Sequence, residues 1–358
     1  MQSRIQEMLK IGLSILAVLL VTACASPSTV RMNYDSAELA AEAAIQRELA
    51  FKRYLSYSKR LNSVSYPILK SASKFCPDDI VNSFGAEGST SADFKDEWNT
   101  AANKILGGPG YTVTWVAKGG AAAQSGVAVN DKVLSVNGVE FGEQEKQQKK
   151  FYAEVDRIRT ASGTEAELSI KRGEEVLNLD INLDKICGFP VVLSESDAVN
   201  AYANGKQIII TKGMMRFAQD NQDLSLVIAH ELGHNVMDHM DKTMSNYWLG
   251  SIVDIAAAAY GVNTQGLFGN AAAQVFSQDF EAEADYVGLY YMHAADLPLE
   301  GTADFWRSMA AEHPGSIGSN HAASHPATPE RFLAISKTIE EISNKITNGQ
   351  PVRPNLKN

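Results

Sequence analysis

The chain has 358 residues, of which 45% are hydrophobic and 21% are charged. This is the composition of an ordinary globular protein, and the length fits one large domain or two average ones. The formal net charge of −10 argues against a nucleic-acid-binding protein, which normally carries a basic face. We therefore expect no nucleic acid among the partners.

Residues 1–23 have the pattern of a secretory signal peptide. Two basic residues precede an apolar run from Ile11 to Ala23, which is too short to cross a bilayer. The run ends in VTAC, which resembles the bacterial lipobox, and the resemblance implies that Cys24 carries lipid. The alternative is an ordinary signal peptide with a chance cysteine. Ala25 and not aspartate follows, and by resemblance to the lipoprotein sorting rule this implies an anchor in the outer membrane that faces the periplasm.

Residues 24–35 are predicted to form a tether between the lipid and the fold. From Ser36 to about Leu61, apolar residues recur at spacings of three and four, which predicts an amphipathic helix that packs on a core. We assign residues 36–85 to the N-terminal part of the main domain, and we expect no transmembrane helix in the mature chain.

Residues 86–186 are predicted to form a separate, β-rich insert. TVTWV, KVLSV, ELSIKR and VLNLDINL have the pattern of strands, Asn137-Gly138 that of a hairpin turn, and a polar helix runs from about Gln144 to Thr160. The order of GGAA, SG, ND, VL and NG resembles bacterial protease PDZ domains, although Asn130 stands where a glycine usually precedes the aspartate. The resemblance implies binding of extended peptides. The alternative is a small insert that binds nothing.

The stretch VIAHELGHNVMDHM contains an HExxH motif on a predicted helix. His230 and His234 share one face and can bind one metal ion, while Glu231 is turned enough to reach a water beside it. A catalytic zinc needs a third protein ligand. The metzincin pattern would need glycine at 237 and histidine at 240, where methionines stand. His239 is one residue short and is expected to point away from the ligand face.

The better third ligand lies in FEAEAD, on a second predicted helix. Glu281 and Asp285 are four residues apart and share a face, whereas Glu283 is expected to point elsewhere. Glu281 is placed to reach the metal, and Asp285 to hydrogen-bond a ligand histidine. The alternative is an acidic helix face that is simply solvated.

HELGH, EAEAD and a downstream SHPATPER together resemble the HtpX-like and CAAX-prenyl-protease-like gluzincin metallopeptidases, in particular their soluble periplasmic lipoprotein branch. The resemblance implies one Zn²⁺ per chain. It assigns roles to the following residues: His230, His234 and Glu281 as zinc ligands, Glu231 as general base, Asp285 as the partner of a ligand, His325 as an oxyanion or gating residue, Arg331 as a residue close to the site, and Asn200, Ala201, Tyr202 and Ala203 as the edge strand that aligns substrate.

Two cysteines remain once Cys24 is set aside. In an oxidising compartment Cys76 and Cys187 form one disulfide, or else stay two unpaired buried thiols. They flank the PDZ-like segment where it interrupts the peptidase pattern. We therefore predict a Cys76–Cys187 disulfide at the base of the insert.

The predicted fold class is α+β. A mainly helical zincin metallopeptidase domain with a small edge-strand sheet is interrupted by the PDZ-like domain and resumes over residues 187–347, before a tail at 348–358. The implied function is that of a zinc endopeptidase that acts on misfolded or misassembled envelope proteins and is held to the membrane by its lipid. The alternatives are a chaperone or assembly scaffold for outer-membrane proteins with structural zinc, and a latent protease gated by the His325 loop.

Overall fold

The computed structural model describes residue 29 and residues 32–245, 267–312 and 329–357, with backbone alone over 267–277. The chain divides into two compact units, Met1–Gln46 and Arg47–Asn358, and the second contains both the β-rich segment and the HExxH helix. Within the described residues, no helix is both long and apolar enough to cross a membrane. The domain limits given above stay predictions.

Helix α1 spans Ser36–Ser71 and extends ten residues beyond the predicted end near Leu61. Its second half buries Leu61, Val64 and Ile68, whose spacing keeps one apolar stripe against the core. The stripe continues past Pro67, so packing of this face outweighs the helix-breaking tendency of proline. Two 3₁₀ turns then lead to Cys76 and into the insert.

The insert contains a six-stranded antiparallel sheet of order β2-β3-β4-β6-β7, with β5 paired to β4. Its elements are β1 (Ile80–Ser83), β2 (Ala86–Ser89), α2 (Asp96–Ile105), β3 (Tyr111–Val116), α3 (Ala121–Gln124), β4 (Lys132–Val136), β5 (Val139–Glu140), α4 (Glu145–Thr160), β6 (Glu165–Arg172), β7 (Glu175–Asn182) and β8 (Asp184–Cys187). Asn137 and Gly138 both have positive φ, as the predicted hairpin turn requires. Asn130 also has positive φ (76°), which explains how asparagine replaces the usual glycine there.

The base of the insert is a two-stranded ribbon in which β1 pairs antiparallel with β8. Ile80 lies opposite Cys187, and the disulfide between Cys76 and Cys187 joins the two ends with a Cα–Cα distance of 6.0 Å. Both cysteines are buried. The entering and leaving segments are therefore held side by side.

The remaining chain forms a helical layer on a three-stranded sheet of order β10-β11-β9. The elements are β9 (Val191–Ser194), β10 (Ala201–Ala203), β11 (Ile208–Thr211), α5 (Lys212–Phe217), α6 (Asn221–Val236), α7 (Leu267–Ala294), α8 (Thr302–Glu312) and α9 (Pro329–Thr347). The main core joins buried residues of α1, α6 and α7. The two kinds of layer confirm the predicted α+β class.

Replacing both Cys76 and Cys187 with serine is expected to lower the free energy of unfolding by about 2–5 kcal/mol, because the bond closes a long loop in the unfolded chain. The bond spans 111 residues of sequence. Denaturant unfolding followed by circular dichroism measures the loss. A reductant should weaken the wild type similarly and leave the double variant unchanged. Two alkylatable thiols in the native wild type would contradict the prediction.

Candidate metal centre

Helix α6 presents the HExxH residues from one buried segment. The Asp220 side chain caps the helix by accepting a hydrogen bond from the backbone N–H of Asp223. Behind that cap, the apolar stripe of the helix packs in the core and fixes its rotation. His230 and Glu231 are almost fully buried, whereas the side chain of His234 stays 12% exposed. Among the described parts of the chain, His234 is therefore the HExxH residue whose side chain stays partly accessible.

Helix α7 crosses α6 closely because each helix has a glycine at the contact. A Cβ on Gly233 would lie 3.0 Å from the carbonyl oxygen of Ala284, and one on Gly288 would lie 3.1 Å from that of Ala229. Any larger residue would push the two helices apart. The crossing brings Glu281 and Asp285 of α7 against the two histidines, where both acids are buried.

Three donor atoms converge at this crossing. The Nε2 atoms of His230 and His234 are 3.1 Å apart, and the Glu281 carboxylate oxygens lie 3.3 Å from the first and 3.2 Å from the second. Ligands of a tetrahedral zinc at 2.0–2.1 Å are separated from one another by about 3.3 Å. Among the described residues, these three form the group that fits a metal ion. The spacing and the donor types suit zinc, although the ligand roles stay predictions.

Asp285 orients His230 and is itself held by Arg331. Its carboxylate lies 2.8 Å from the Nδ1 of His230, which leaves Nε2 to face the donor group. Arg331 of α9 binds the same carboxylate with two N–H groups at 2.8 and 2.9 Å, and its third nitrogen lies 3.1 Å from Glu281. Trp306 packs 5.1 Å from both the Arg331 guanidinium and the His230 ring. Arg331 therefore holds the carboxylates of Asp285 and Glu281 in position through charged contacts.

The buried charges shift the pKa values in a consistent way. Burial alone lowers the pKa of His230, but hydrogen bonds and charges of Asp285 and Glu281 outweigh it and raise the pKa to about 10. Burial raises the pKa of Asp285, yet Arg331 and His230 hold it below its ordinary value. The site therefore carries negative charge that a bound cation, either a proton or a metal ion, offsets.

Among the described residues, His239 is not part of the group that could hold a metal ion, as the sequence predicted, yet it contacts one member of that group. Its Nδ1 lies 2.9 Å from the Nδ1 of His234, and its Nε2 lies 2.8 Å from the carboxylate of Glu283. The contact with His234 was not predicted because α6 ends at Val236 and Asp238 has φ of 52°, so the helical periodicity does not extend to residue 239. Two residues of the sequence could have indicated this contact: His239, five positions after His234, and Glu283, between Glu281 and Asp285.

The segment Asn200–Ala203 lies beside the HExxH helix. Strand β10 stands at one end of the order of its sheet, and Tyr202 on it is exposed. The loop after β10 is tied to α6 by Asn235, which accepts a hydrogen bond from the backbone N–H of Gly205 and donates one to the carbonyl of Gln207. This places the strand at the site, as a substrate-aligning role needs. The predicted residues Cys24 and His325 lie outside the described residues.

Comparison with known proteins gives two family matches. Residues 169–339 match peptidase family M48, and residues 86–183 match the PDZ domain family. Similar proteins include the metalloprotease LoiP of Escherichia coli (31% identical over 38% of this chain and 57% of LoiP). Others are the mitochondrial metalloendopeptidase OMA1 of Schizosaccharomyces pombe (28%, covering 38% and 42%) and the beta-barrel assembly-enhancing protease of Yersinia pestis (26%, covering 34% and 28%). The chain thus matches less than two thirds of each relative's length.

An HExxH motif on a helix, with a glutamate of a second helix beside it, is the pattern typical of a metallopeptidase site. Residues 169–339 are thus similar to peptidase family M48, and residues 86–183 to the PDZ domain family. This confirms the resemblance drawn from HELGH and EAEAD, and the one drawn from the glycine pattern of the insert.

Replacing Arg331 with leucine is expected to destabilise the zinc-free protein by about 3–5 kcal/mol, because two buried carboxylates lose their partner. Arg307→Leu is the control. Arg307 pairs with Asp304 at the surface, where the two side chains are 52% and 78% exposed, and its loss should cost about 1 kcal/mol or less. Urea unfolding at neutral pH compares the two variants. Equal losses would show that Arg331 does not offset the buried charge.

Zinc binding at neutral pH is expected to release a proton from His230. A pKa of about 10 means that the ring is protonated before the metal arrives, and a protonated imidazole is not a ligand. Zinc affinity should therefore fall about tenfold for each pH unit below that pKa. Calorimetry in two buffers with different ionisation enthalpies measures the proton. Heats that do not depend on the buffer would contradict the prediction.

Proposed function

We propose that the protein is a zinc-dependent endopeptidase of the gluzincin type, with one Zn²⁺ per chain. The observation that carries this proposal is the convergence of His230, His234 and Glu281 at 3.1–3.3 Å, with the buried carboxylate of Glu231 next in the sequence to the first ligand. A metal with purely structural duties needs no such carboxylate beside it.

Zinc held by the three ligands supplies a Lewis acid that lowers the pKa of water and polarises a carbonyl group. Glu231 projects about 100° around the helix from His230, so it takes the proton of the attacking water and returns it to the leaving amine. Arg331 and Asp285 keep the ligands in place while the charge on the reacting groups changes during hydrolysis. His325 is proposed to stabilise the oxyanion, and β10 to align the substrate backbone by strand pairing.

The proposed setting is the periplasmic face of the bacterial outer membrane. The apolar leader ending in Cys24 supports a lipid anchor there. The named relatives include a beta-barrel assembly-enhancing protease and LoiP, but also mitochondrial OMA1, so the family alone is compatible with other compartments. We propose misfolded or misassembled envelope proteins as substrates.

The PDZ domain is proposed to capture exposed peptide ends or to regulate access to the site. PDZ domains bind an extended peptide as an added strand at a sheet edge. Strand β2 stands at the end of the order of its sheet, and a cavity of about 560 Å³ adjoins it. Helices α1 and α4 and strand β9 line the other sides of that cavity. A peptide bound there would contact both domains.

The central test replaces Glu231 with glutamine. Loss of the general base should lower casein hydrolysis by at least about 10²-fold while zinc stays bound, because glutamine fills the same space but takes no proton. Glu330→Gln, which alters an exposed carboxylate on α9, is the control and should cleave like the wild type. Peptidase activity and zinc content are measured on the same samples.

Other outcomes separate the alternatives. Substantial hydrolysis by Glu231→Gln would reject the assignment of the base. A wild type that prevents aggregation of an unfolded outer-membrane protein without cleaving it would indicate a scaffold. Cleavage that appears only after His325→Ala would indicate a latent enzyme. Substrates trapped by the glutamine variant in the native envelope would identify the proteins on which it acts.

A further inference from the structure

The ligand histidine His234 has a partner outside the HExxH motif. The ring of His239 lies 2.9 Å from it through Nδ1 atoms, and on its other side contacts Glu283 at 2.8 Å. We propose that His239 and Glu283 form a positioning pair for His234, which sets its tautomer and holds it in place to bind zinc. The inference rests on the proposed zinc site and adds two residues that neither the motif nor the ligand group contains.

With both rings neutral and Glu283 ionised, the hydrogen-bonding capacity of the rings allows a single arrangement. A neutral imidazole has one N–H and one lone pair. If the Nε2 of His234 binds metal, its proton is on Nδ1 and is donated to the Nδ1 of His239. His239 must then carry its own proton on Nε2, which it donates to Glu283. All three groups are satisfied only when His234 presents a lone pair to the metal.

The surroundings of His239 keep this arrangement rigid. The ring is buried and stacks on Phe280 at a centroid distance of 4.6 Å with an interplanar angle of 18°. Phe280 and Glu283 both belong to α7, the helix that also supplies Glu281. His239 and Glu283 therefore connect the segment just after α6 to helix α7, next to the same metal position.

The two ligand histidines are held differently. His230 contacts the Asp285 carboxylate, whose side chain is 2% exposed and is clamped by Arg331. His234 is held through a second histidine to Glu283, whose side chain is 38% exposed. The second connection is longer and closer to solvent. Zinc affinity is therefore most easily altered through this second connection.

The test measures zinc affinity of the full chain by competition with a chelator at a fixed pH. His239→Phe keeps the ring and its stacking but removes the acceptor, and it should weaken zinc binding by about 10–100-fold. His239→Asn places an oxygen acceptor near the former Nδ1 and should stay within a few-fold of the wild type. His293→Phe, near the C-terminal end of α7, is the matched control and should bind zinc normally.

Glu283 provides an independent check. Glu283→Gln retains an oxygen that accepts from His239 and should bind zinc almost as well as the wild type, whereas Glu283→Leu should lose part of the affinity. In the zinc-loaded wild type, ¹⁵N spectra should show a protonated Nδ1 on His234. Circular dichroism establishes that each variant folds, and if His239→Phe does not, the asparagine and Glu283 variants decide.

Wild-type zinc affinity in a folded His239→Phe variant would overturn the proposal. An asparagine variant as weak as the phenylalanine one would also overturn it, since a packing defect and not a lost acceptor would then be responsible. Failure of the proposed function looks different. It would appear as a wild type that binds no zinc, or as a zinc-loaded wild type that cleaves nothing while the affinity differences among the variants persist.

Discussion

Two helices can place a carboxylate against two histidines only where their backbones nearly touch, and in this chain a pair of glycines allows that contact. Gly233 of α6 and Gly288 of α7 each face the backbone of the other helix, where a Cβ would lie 3.0–3.1 Å from backbone atoms, closer than most Cβ contacts. The glycine within HELGH is therefore a packing residue as much as part of a motif. Every donor of the site depends on the depth of this crossing.

The close crossing buries several negative charges, and other parts of the domain compensate for them. Three carboxylates, those of Glu231, Glu281 and Asp285, are buried on the two helices that cross here. Burying unpaired charge is costly, so the fold must supply cations. Arg331 reaches in from α9 and is covered by Trp306 of α8, which explains why two helices distant in sequence close over the site. The remaining negative charge favours a metal ion.

The sequence predicted the features that depend on regular spacing of residues along a helix. It missed the features that depend on interruptions of that spacing. HExxH and ExxxD each describe one face of one helix, so the approach of His230, Glu281 and Asp285 followed once two helices were assumed. The contact between His239 and His234 was missed because a left-handed Asp238 reorients the chain after α6. Helix α2 went unpredicted although it is amphipathic, as did strands β1, β2 and β8, which have only four residues each. Their positions depend on pairing between segments far apart in sequence.

The attachment of the PDZ domain also depends on contacts between segments that lie far apart in the sequence. Beyond the disulfide and the β1–β8 ribbon, the Asp184 carboxylate joins both sides of the junction: it accepts hydrogen bonds from Tyr66 and Lys70 of α1 and from the backbone N–H of Ala121 in the insert. Lys70 and Tyr66 hold the pKa of Asp184 below its usual value although burial raises it. Rotating the insert about its base would break a charged network as well as a strand pair. The insert is therefore attached through several bonded segments and not through a single flexible linker.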